Sequence, residues 1–261
     1  MSTALQRSIE EGALTITAEI MPPRGADPSN ALAKAQKLKG RVHAINVTDG
    51  SRAVMKMSSV ALCRLLLENG LEPVLQMACR DRNRIGIQAD LLGAHALGIR
   101  NILCLTGDPV RAGDQPDAKS VNEFESVRLL RQVESFNRSK DPISGSLPDG
   151  GTSFFPGAAA DPNSRSSLGL IRRLEKKRDA GVRFLQTQMV MNPVVLEKFC
   201  LEVAKPLEIP VLAGVFLLKS ARNACFIKRV VPGACIPDNV ISRLEKAIDP
   251  ASEGIAIAAE Q

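Results

Sequence analysis

The sequence predicts an α/β fold, a (β/α)8 or TIM barrel whose eighth strand and last helix are missing from this chain. Three observations predict it. Short β-rich runs start at Leu14, Val42, Glu72, Arg100, Ser153, Val182 and Ile209, at intervals of 28, 30, 28, 53, 29 and 27 residues. Six of these seven runs are almost continuously apolar at their centres, as strands buried on both faces of a parallel sheet must be. Helical patterns fill the intervals, and a strand–helix unit about every 30 residues gives a parallel sheet with helices outside. Seven such units favour a closed barrel over an open sheet.

Taken in order, LTITAEI at 14–20 is the first strand, stopped by Pro22 and Pro23. A helix over 31–38 leads to VHAINVT at 42–48. A helix over 58–67 ends at Asn69-Gly70, a good C-cap, before EPVLQMA at 72–78. The next helix, 85–97, ends in the same way at Gly98, before RNILCLT at 100–106. A helix over 120–136 carries Val121, Phe124, Val127, Leu129, Leu130 and Val133 at helical spacing. The 53-residue interval also holds 137–151, rich in Ser, Pro, Asp and Gly, which reads as a long loop before the fifth strand, SFFPGAA at 153–159. A helix over 167–180 stops at Gly181, ahead of VRFLQTQ at 182–188. The helix over 193–204 opens with proline, whose missing N–H costs nothing in the first turn. IPVLAGV at 209–215 is the seventh strand. Helical patterns at 220–230 and 239–247, separated by a Pro232-Gly233 turn, and a helix start at 253 follow it. No linker divides the chain, so one domain over 1–261 is expected. A barrel short of one strand has open edges, so either the chain is truncated or a partner covers the gap.

Composition narrows the function classes. The 261 residues are 44% hydrophobic and 24% charged, ordinary for a globular protein. No apolar run approaches the ~18 residues of a membrane span, and residues 1–7 do not resemble a secretory leader. Cys63, Cys79, Cys104, Cys200, Cys225 and Cys235 form no C-x-x-C pair and read as buried, reduced thiols of a cytoplasmic protein. With two histidines and no cysteine pair, a metal site is not expected. The net charge is +6, but the basic residues are dispersed and Trp and Tyr are absent, which speaks against nucleic acid. An anionic small ligand suits the surplus charge.

In a parallel barrel, chemistry sits at the carboxyl ends of the strands. Polar groups gather there from six runs: Glu19; Thr48 and Asp49; Gln76 with Arg80, Asp81 and Arg82; Thr106, Gly107 and Asp108; the small residues 157–159; and Gln186 and Gln188. Glu19 lies in apolar surroundings that raise a carboxyl pKa and suit a general acid. Gly107 and the Gly157-Ala158-Ala159 stretch let a flat or phosphorylated ligand approach the backbone. These residues point to an enzyme with a cofactor-sized ligand and acid catalysis. The bland readings stand beside this one. Glu19 could be salt-bridged to Arg24, Asp108 could be a turn residue, and Gln186 competes with Gln188. Lys177 lies in a basic run that reads as a solvated helix face, and Arg80, Asp81 and Arg82 read as a loop ion-pair network.

Four runs, in order and in register over roughly 13–218, resemble the methylenetetrahydrofolate reductase family. They are A-E-I-M-P-P-R at 18–24, N-V-T-D-G at 46–50, G-I-R-N-I-L-C-L-T-G-D-P at 98–109 and D-A-G-V-R-F-L-Q-T-Q at 179–188. The resemblance implies flavin-dependent reduction of 5,10-methylenetetrahydrofolate to 5-methyltetrahydrofolate. Electrons would come from NAD(P)H or from an iron–sulfur partner subunit, and the cofactor would be FAD, with FMN as the alternative. It implies that Glu19 is the general acid, that Asp108 lies beside flavin and pterin, and that Gln188 binds the pterin. It places Thr48, Gln76, Gly107, Asp108, Phe155, Ala159 and Lys177 at flavin-contacting positions. Phe155 stands where family members have tyrosine, Gln76 and Ala159 where they have histidine, and Leu170 where they have aspartate. A homo-oligomer is expected. The alternative reading is a non-catalytic or partner-dependent, flavin-poor barrel subunit of a one-carbon complex.

Overall fold

The computed structural model describes residues 2–147, 149–164, 166–231 and 233–261; Pro148 in the long loop and Pro232 of the Pro-Gly turn lie outside the described residues. The chain divides into two compact units, Met1–Ala158 with Asp179–Arg183, and Ala159–Arg178 with Phe184–Gln261.

The first unit holds α1 (Ala4–Glu10), β1 (Thr17–Ile20), α2 (Ser29–Gln36), β2 (Ala44–Val47), α3 (Ser59–Glu68), β3 (Pro73–Ala78), α4 (Arg84–Ala96), β4 (Asn101–Leu105), α5 (Ser126–Asn137) and most of β5 (Phe155–Ala160). Each strand pairs in parallel with the next one in the chain. That is the α/β succession the spacing predicts: β1 to β4 lie inside their expected runs and β5 ends one residue past its own, at Ala160. β2 and β3 are buried along their whole length, which is why their runs carry no polar alternation.

Register decides what shares a face. Glu19 is level with Asn46, Asn46 with Val74, and Val74 with Asn101. Successive side chains alternate between faces, so Glu19, Asn46, Thr48, Val74, Gln76 and Leu103 lie on one face. Phe155 and Gly157 join it through their pairing with Asn101 and Leu103. Ile20, Ile45, Val47, Leu75, Met77, Ile102 and Cys104 lie on the other face and are buried, and α2, α3 and α5 pack against these strands. One face is therefore uniformly apolar, while the other mixes apolar residues with an acid, three amides (Asn46, Gln76 and Asn101) and a hydroxyl.

Helix α1 had no counterpart in the sequence reading. Thr3 caps it by accepting from the Gln6 N–H at 3.0 Å. The Glu72 carboxylate accepts the Ala4 and Leu5 N–H groups at 2.7 and 2.9 Å and the Asn101 side-chain amide at 3.0 Å. Leu5 is fully buried. A seven-residue helix has too few turns to show a period. It is held by a carboxylate 68 residues away in sequence. A second correction concerns α5, which starts at Ser126 rather than near 120. The Val121 and Asn122 N–H groups bond to the Arg80 carbonyl, and the Glu125 carboxylate accepts the Val127 and Arg128 N–H groups, which fixes the start of the helix.

The second unit holds α6 (Ser167–Asp179, apart from its last residue), β6 (Phe184–Met189), α7 (Pro193–Phe199), β7 (Val211–Gly214), α8 (Ala221–Val230), α9 (Asp238–Lys246) and α10 (Pro250–Glu260). α7 continues into a π-helical turn over Cys200–Ala204, so the helical pattern at 193–204 changes its hydrogen-bond period without breaking. Met191, Leu218, Ala224, Ile227, Ile236, Val240, Leu244 and Ile257 form the core of this unit. Arg243 of α9 binds Glu253 and Glu260 of α10. After β7 only helices follow among the described residues, in line with the expected lack of an eighth strand.

The cysteines divide. Cys63, Cys79 and Cys104 are buried as expected, whereas Cys225 and Cys235 are exposed, because α8 and the segment after it turn those positions to solvent. Burial pushes the Cys79 thiol up to about 12, too high for a thiolate nucleophile. Among the described residues no helix is long and apolar enough to cross a membrane.

Candidate active site

The site is built first from the carboxyl ends of β1 to β4 in the first unit. Glu19 projects from the third position of β1. Its side chain makes one hydrogen bond among the described residues, accepted from the Gln76 amide at 3.4 Å. Solvent reaches the carboxyl, yet surrounding protein removes enough bulk water that desolvation raises its pKa above the ordinary value. The Gln76 hydrogen bond opposes that shift only in part. A carboxyl group whose pKa is raised yet that remains reachable suits a proton donor to a small ligand. The salt bridge to Arg24 does not form. Arg24 binds Asp114 at 2.6 Å instead.

Thr48 and Asn46 lie on the same face as Glu19. Both are buried, and among the described residues the Thr48 hydroxyl and the Asn46 carbonyl oxygen have no hydrogen-bond partner. The other amide atom of Asn46 donates to Thr17 at 3.2 Å. Buried polar atoms are normally paired; here two stand open on the sheet face that carries Glu19. Asn46 opens the N-V-T-D-G run, but the sequence assigns it no role. Its signal was a polar residue inside the otherwise apolar A-I-N-V strand.

The loops after these strands are tied together. Asp49 accepts the Ala78 N–H at 2.9 Å and an Arg82 nitrogen at 2.7 Å, and Arg82 also binds Asp90 at 2.7 Å. This is the ion-pair network expected of the 80–82 run. Asp108 accepts the Arg52 N–H at 2.6 Å. Gly50, Arg52 and Ala53 all have left-handed backbones, which costs energy for a residue with a side chain. Gly107 has φ +96, and a Cβ there would stand 2.9 Å from the Arg80 Cβ and 3.2 Å from the Ala78 Cβ. Only glycine fits, and the backbone at 106–108 is exposed. Phe155, at the start of β5, is buried on the Glu19 face of the sheet.

The second unit carries the remaining expected residues. Lys177, in the last turn of α6, donates to the Ala159 carbonyl at 2.6 Å. Its stem is half-buried, so it is not the free surface lysine that a basic run suggests. Gln188 lies at a bulge. Leu185 pairs with Val211 and Gln186 with Leu212, but Met189 pairs with Gly214, so β6 has one residue more than β7. The Gln188 side-chain oxygen accepts the Met189 N–H, and the Thr187 hydroxyl accepts the Gly214 N–H at 2.8 Å. The extra residue breaks the simple alternation that would put Gln186 and Gln188 on one face. A Cβ on Gly214 would lie 2.8 Å from the Thr187 carbonyl, so the bulge also dictates that glycine.

The donor set fits a flavin. The 106–108 backbone is bare at a position no side chain could occupy, and Glu19, whose pKa is raised, shares a sheet face with Thr48.

Comparison with known proteins agrees with the residues. The methylenetetrahydrofolate reductase family profile matches residues 4–261. A probable methylenetetrahydrofolate reductase (NADPH) of Caenorhabditis elegans is 24% identical over 92% of this chain and 36% of its own length. Methylenetetrahydrofolate reductase 2 of Schizosaccharomyces pombe is 29% identical over 77% of this chain and 32% of its own. The 5,10-methylenetetrahydrofolate reductase of Pectobacterium carotovorum is 24% identical over 81% of this chain and 67% of its own. The chain thus spans about a third of the length of the first two. Among solved structures, 2,3-dimethylmalate lyase aligns with TM-score 0.53 at 14% identity over 81% of this chain and 69% of that one. Tryptophan synthase of M. tuberculosis aligns with TM-score 0.51 at 13% identity over 99% and 98%; at such identity these likenesses speak for the α/β fold alone. The residue runs, their places on the strands and the match over 4–261 give one conclusion: this chain belongs to the methylenetetrahydrofolate reductase family.

Proposed function

We propose that this chain reduces 5,10-methylenetetrahydrofolate to 5-methyltetrahydrofolate with a bound flavin, FAD in preference to FMN. When bound, the flavin carries the hydride from the reductant to the folate. The reductant is NAD(P)H, or an iron–sulfur partner subunit in its place, and the setting is a cytoplasmic homo-oligomer. The observation that carries the reading is Glu19: an acid with a raised pKa, a neutral hydrogen-bond partner and no ion pair among the described residues, in a strand the family match covers.

In this reading Thr48, Gly107, Asp108, Gln76, Phe155, Ala159 and Lys177 hold the flavin, and Gln188 binds the pterin. Glu19 gives its proton to the folate amine nitrogen that leaves the methylene carbon. Gln76 keeps the carboxyl aimed, and as a neutral partner it offsets only part of the desolvation that raises the Glu19 pKa. Asp108 presents a carboxylate while its bond to the Arg52 N–H fixes the loop beside it. The excess of basic residues favours an anionic cofactor and a polyanionic folate.

The test separates the two half-reactions. In Glu19→Gln, reduction of the flavin by its donor is expected to be nearly unchanged. Folate reduction should fall by about 10²–10⁴-fold, the usual weight of a general acid. Equal loss in both half-reactions would make Glu19 structural. Absence of flavin binding by the wild type would favour the flavin-poor subunit.

A further inference from the structure

The mouth of the candidate site contains a group that the proposed function does not use. Arg80 is only 4% exposed. Asp81 grips its guanidinium through two bonds, Nε to Oδ1 at 2.7 Å and Nη2 to Oδ2 at 2.5 Å. That fork fixes the plane of the group. The remaining nitrogen, Nη1, donates to two carbonyls in different loops, Gly50 and Asp108, each at 3.3 Å. Both loops also close on the side chain sterically. A Cβ on Gly50 would lie 2.7 Å from Arg80 Nη2, and one on Gly107 would lie 2.9 Å from Arg80 Cβ. The Arg80 carbonyl accepts the Val121 N–H at 2.8 Å, which holds a fourth segment.

Stability alone does not call for this arrangement. An apolar side chain of similar volume commonly stabilises a fold as well as a buried ion pair does. What an apolar group cannot do is set two carbonyls at a fixed separation. Lysine cannot do it either, because its compact ammonium lacks the fork that binds Asp81 while reaching both loops.

We infer that Arg80 is a positioning residue: by bridging the Gly50 and Asp108 carbonyls it sets the spacing of the loop that follows Thr48 and the loop that carries Gly107 and Asp108. The link to ligand binding rests on the proposed flavin function. The bridge itself can be read without ligand.

The experiment uses Arg80→Lys and Arg80→Ala in the full chain, with two readouts. Amide hydrogen exchange without flavin should quicken at 50–54 and 106–110, while β3 and β4 stay protected. FAD, titrated by its fluorescence, should bind about tenfold more weakly to both variants, a loss of about 1.4 kcal/mol. Guanidinium at low, non-denaturing concentration should restore part of the affinity of Arg80→Ala. Loss of protection throughout the first unit, or weaker FAD binding that guanidinium does not mend, would make Arg80 merely structural and overturn the inference. Unchanged loop exchange would overturn it as well. Selective loosening of the two loops in a chain whose wild type takes up no FAD would support the bridge and reject the flavin reading.

Discussion

Replacing Gly107 by alanine should destabilise the first unit by about 2–4 kcal/mol. The magnitude follows from two terms. The backbone at Gly107 has φ +96, and forcing a residue with a Cβ into left-handed space costs about 1–2 kcal/mol. The new methyl would also stand 2.9 Å from the Arg80 Cβ and 3.2 Å from the Ala78 Cβ; neither is the far end of a flexible chain, and overpacking of this kind costs about 1–3 kcal/mol. The stiffer unfolded chain returns about 0.4–1 kcal/mol. Gly25→Ala is the control, because no atom lies within 4 Å of a Cβ there and its φ is not left-handed. Urea unfolding of both variants beside the wild type measures the difference. Thermal melting should fall by about 5–15 °C for Gly107→Ala, taking about 2–4 °C per kcal/mol for a chain of this size. A Gly107→Ala chain as stable as Gly25→Ala would refute the reasoning. The 106–108 backbone would then not be locked, and its close approach to Arg80 would have no structural weight.

Two further outcomes concern carboxylates. Glu72→Ala should cost about 2–4 kcal/mol, since it strips the Ala4 and Leu5 N–H groups and the Asn101 amide of one charged acceptor; exchange of the Ala4 and Leu5 amides should rise most, and unchanged protection there would show that α1 is held by packing alone. Glu19 acts in the opposite direction. Burial raises its pKa in the folded chain, so the folded state binds this proton more tightly than the unfolded one. The stability it contributes is complete below the ordinary value of 4.5 and is lost as pH rises through that value toward the raised one. Glu19→Gln should therefore melt higher than wild type at neutral pH, with the gain gone below about pH 4. A variant that melts lower at neutral pH would mean that the carboxylate is stabilised by the fold.

Much of this was legible in the sequence because it is local or periodic. The strand starts followed from apolar runs at a ~30-residue spacing; five strands fall within their runs, and β5 and β6 each extend one residue past theirs, to Ala160 and Met189. Glu19, Thr48 and Gln76 could be gathered on one face because parallel register and two-residue alternation are enough to place them. What stayed hidden depends on distant partners. Helix α1 is fixed by Glu72, α5 starts where Glu125 caps it while Arg80 holds the residues before it, and the β6 bulge arises from pairing with β7. Arg80 looked like one charge in a loop run, and only the fold brings Gly50 and Asp108 to its one remaining nitrogen. Arg24 shows the opposite failure. Five residues from Glu19 along the chain, it still takes Asp114, 90 residues away, as its partner.

The most direct test of the account is single-turnover chemistry without oxygen. The purified chain is loaded with FAD, reduced until its absorbance near ~450 nm is bleached, and mixed with 5,10-methylenetetrahydrofolate. The account predicts that the absorbance returns as 5-methyltetrahydrofolate forms in equal amount, and that Glu19→Gln stays bleached over the same time. A reduced, FAD-loaded chain that the folate leaves bleached would contradict it.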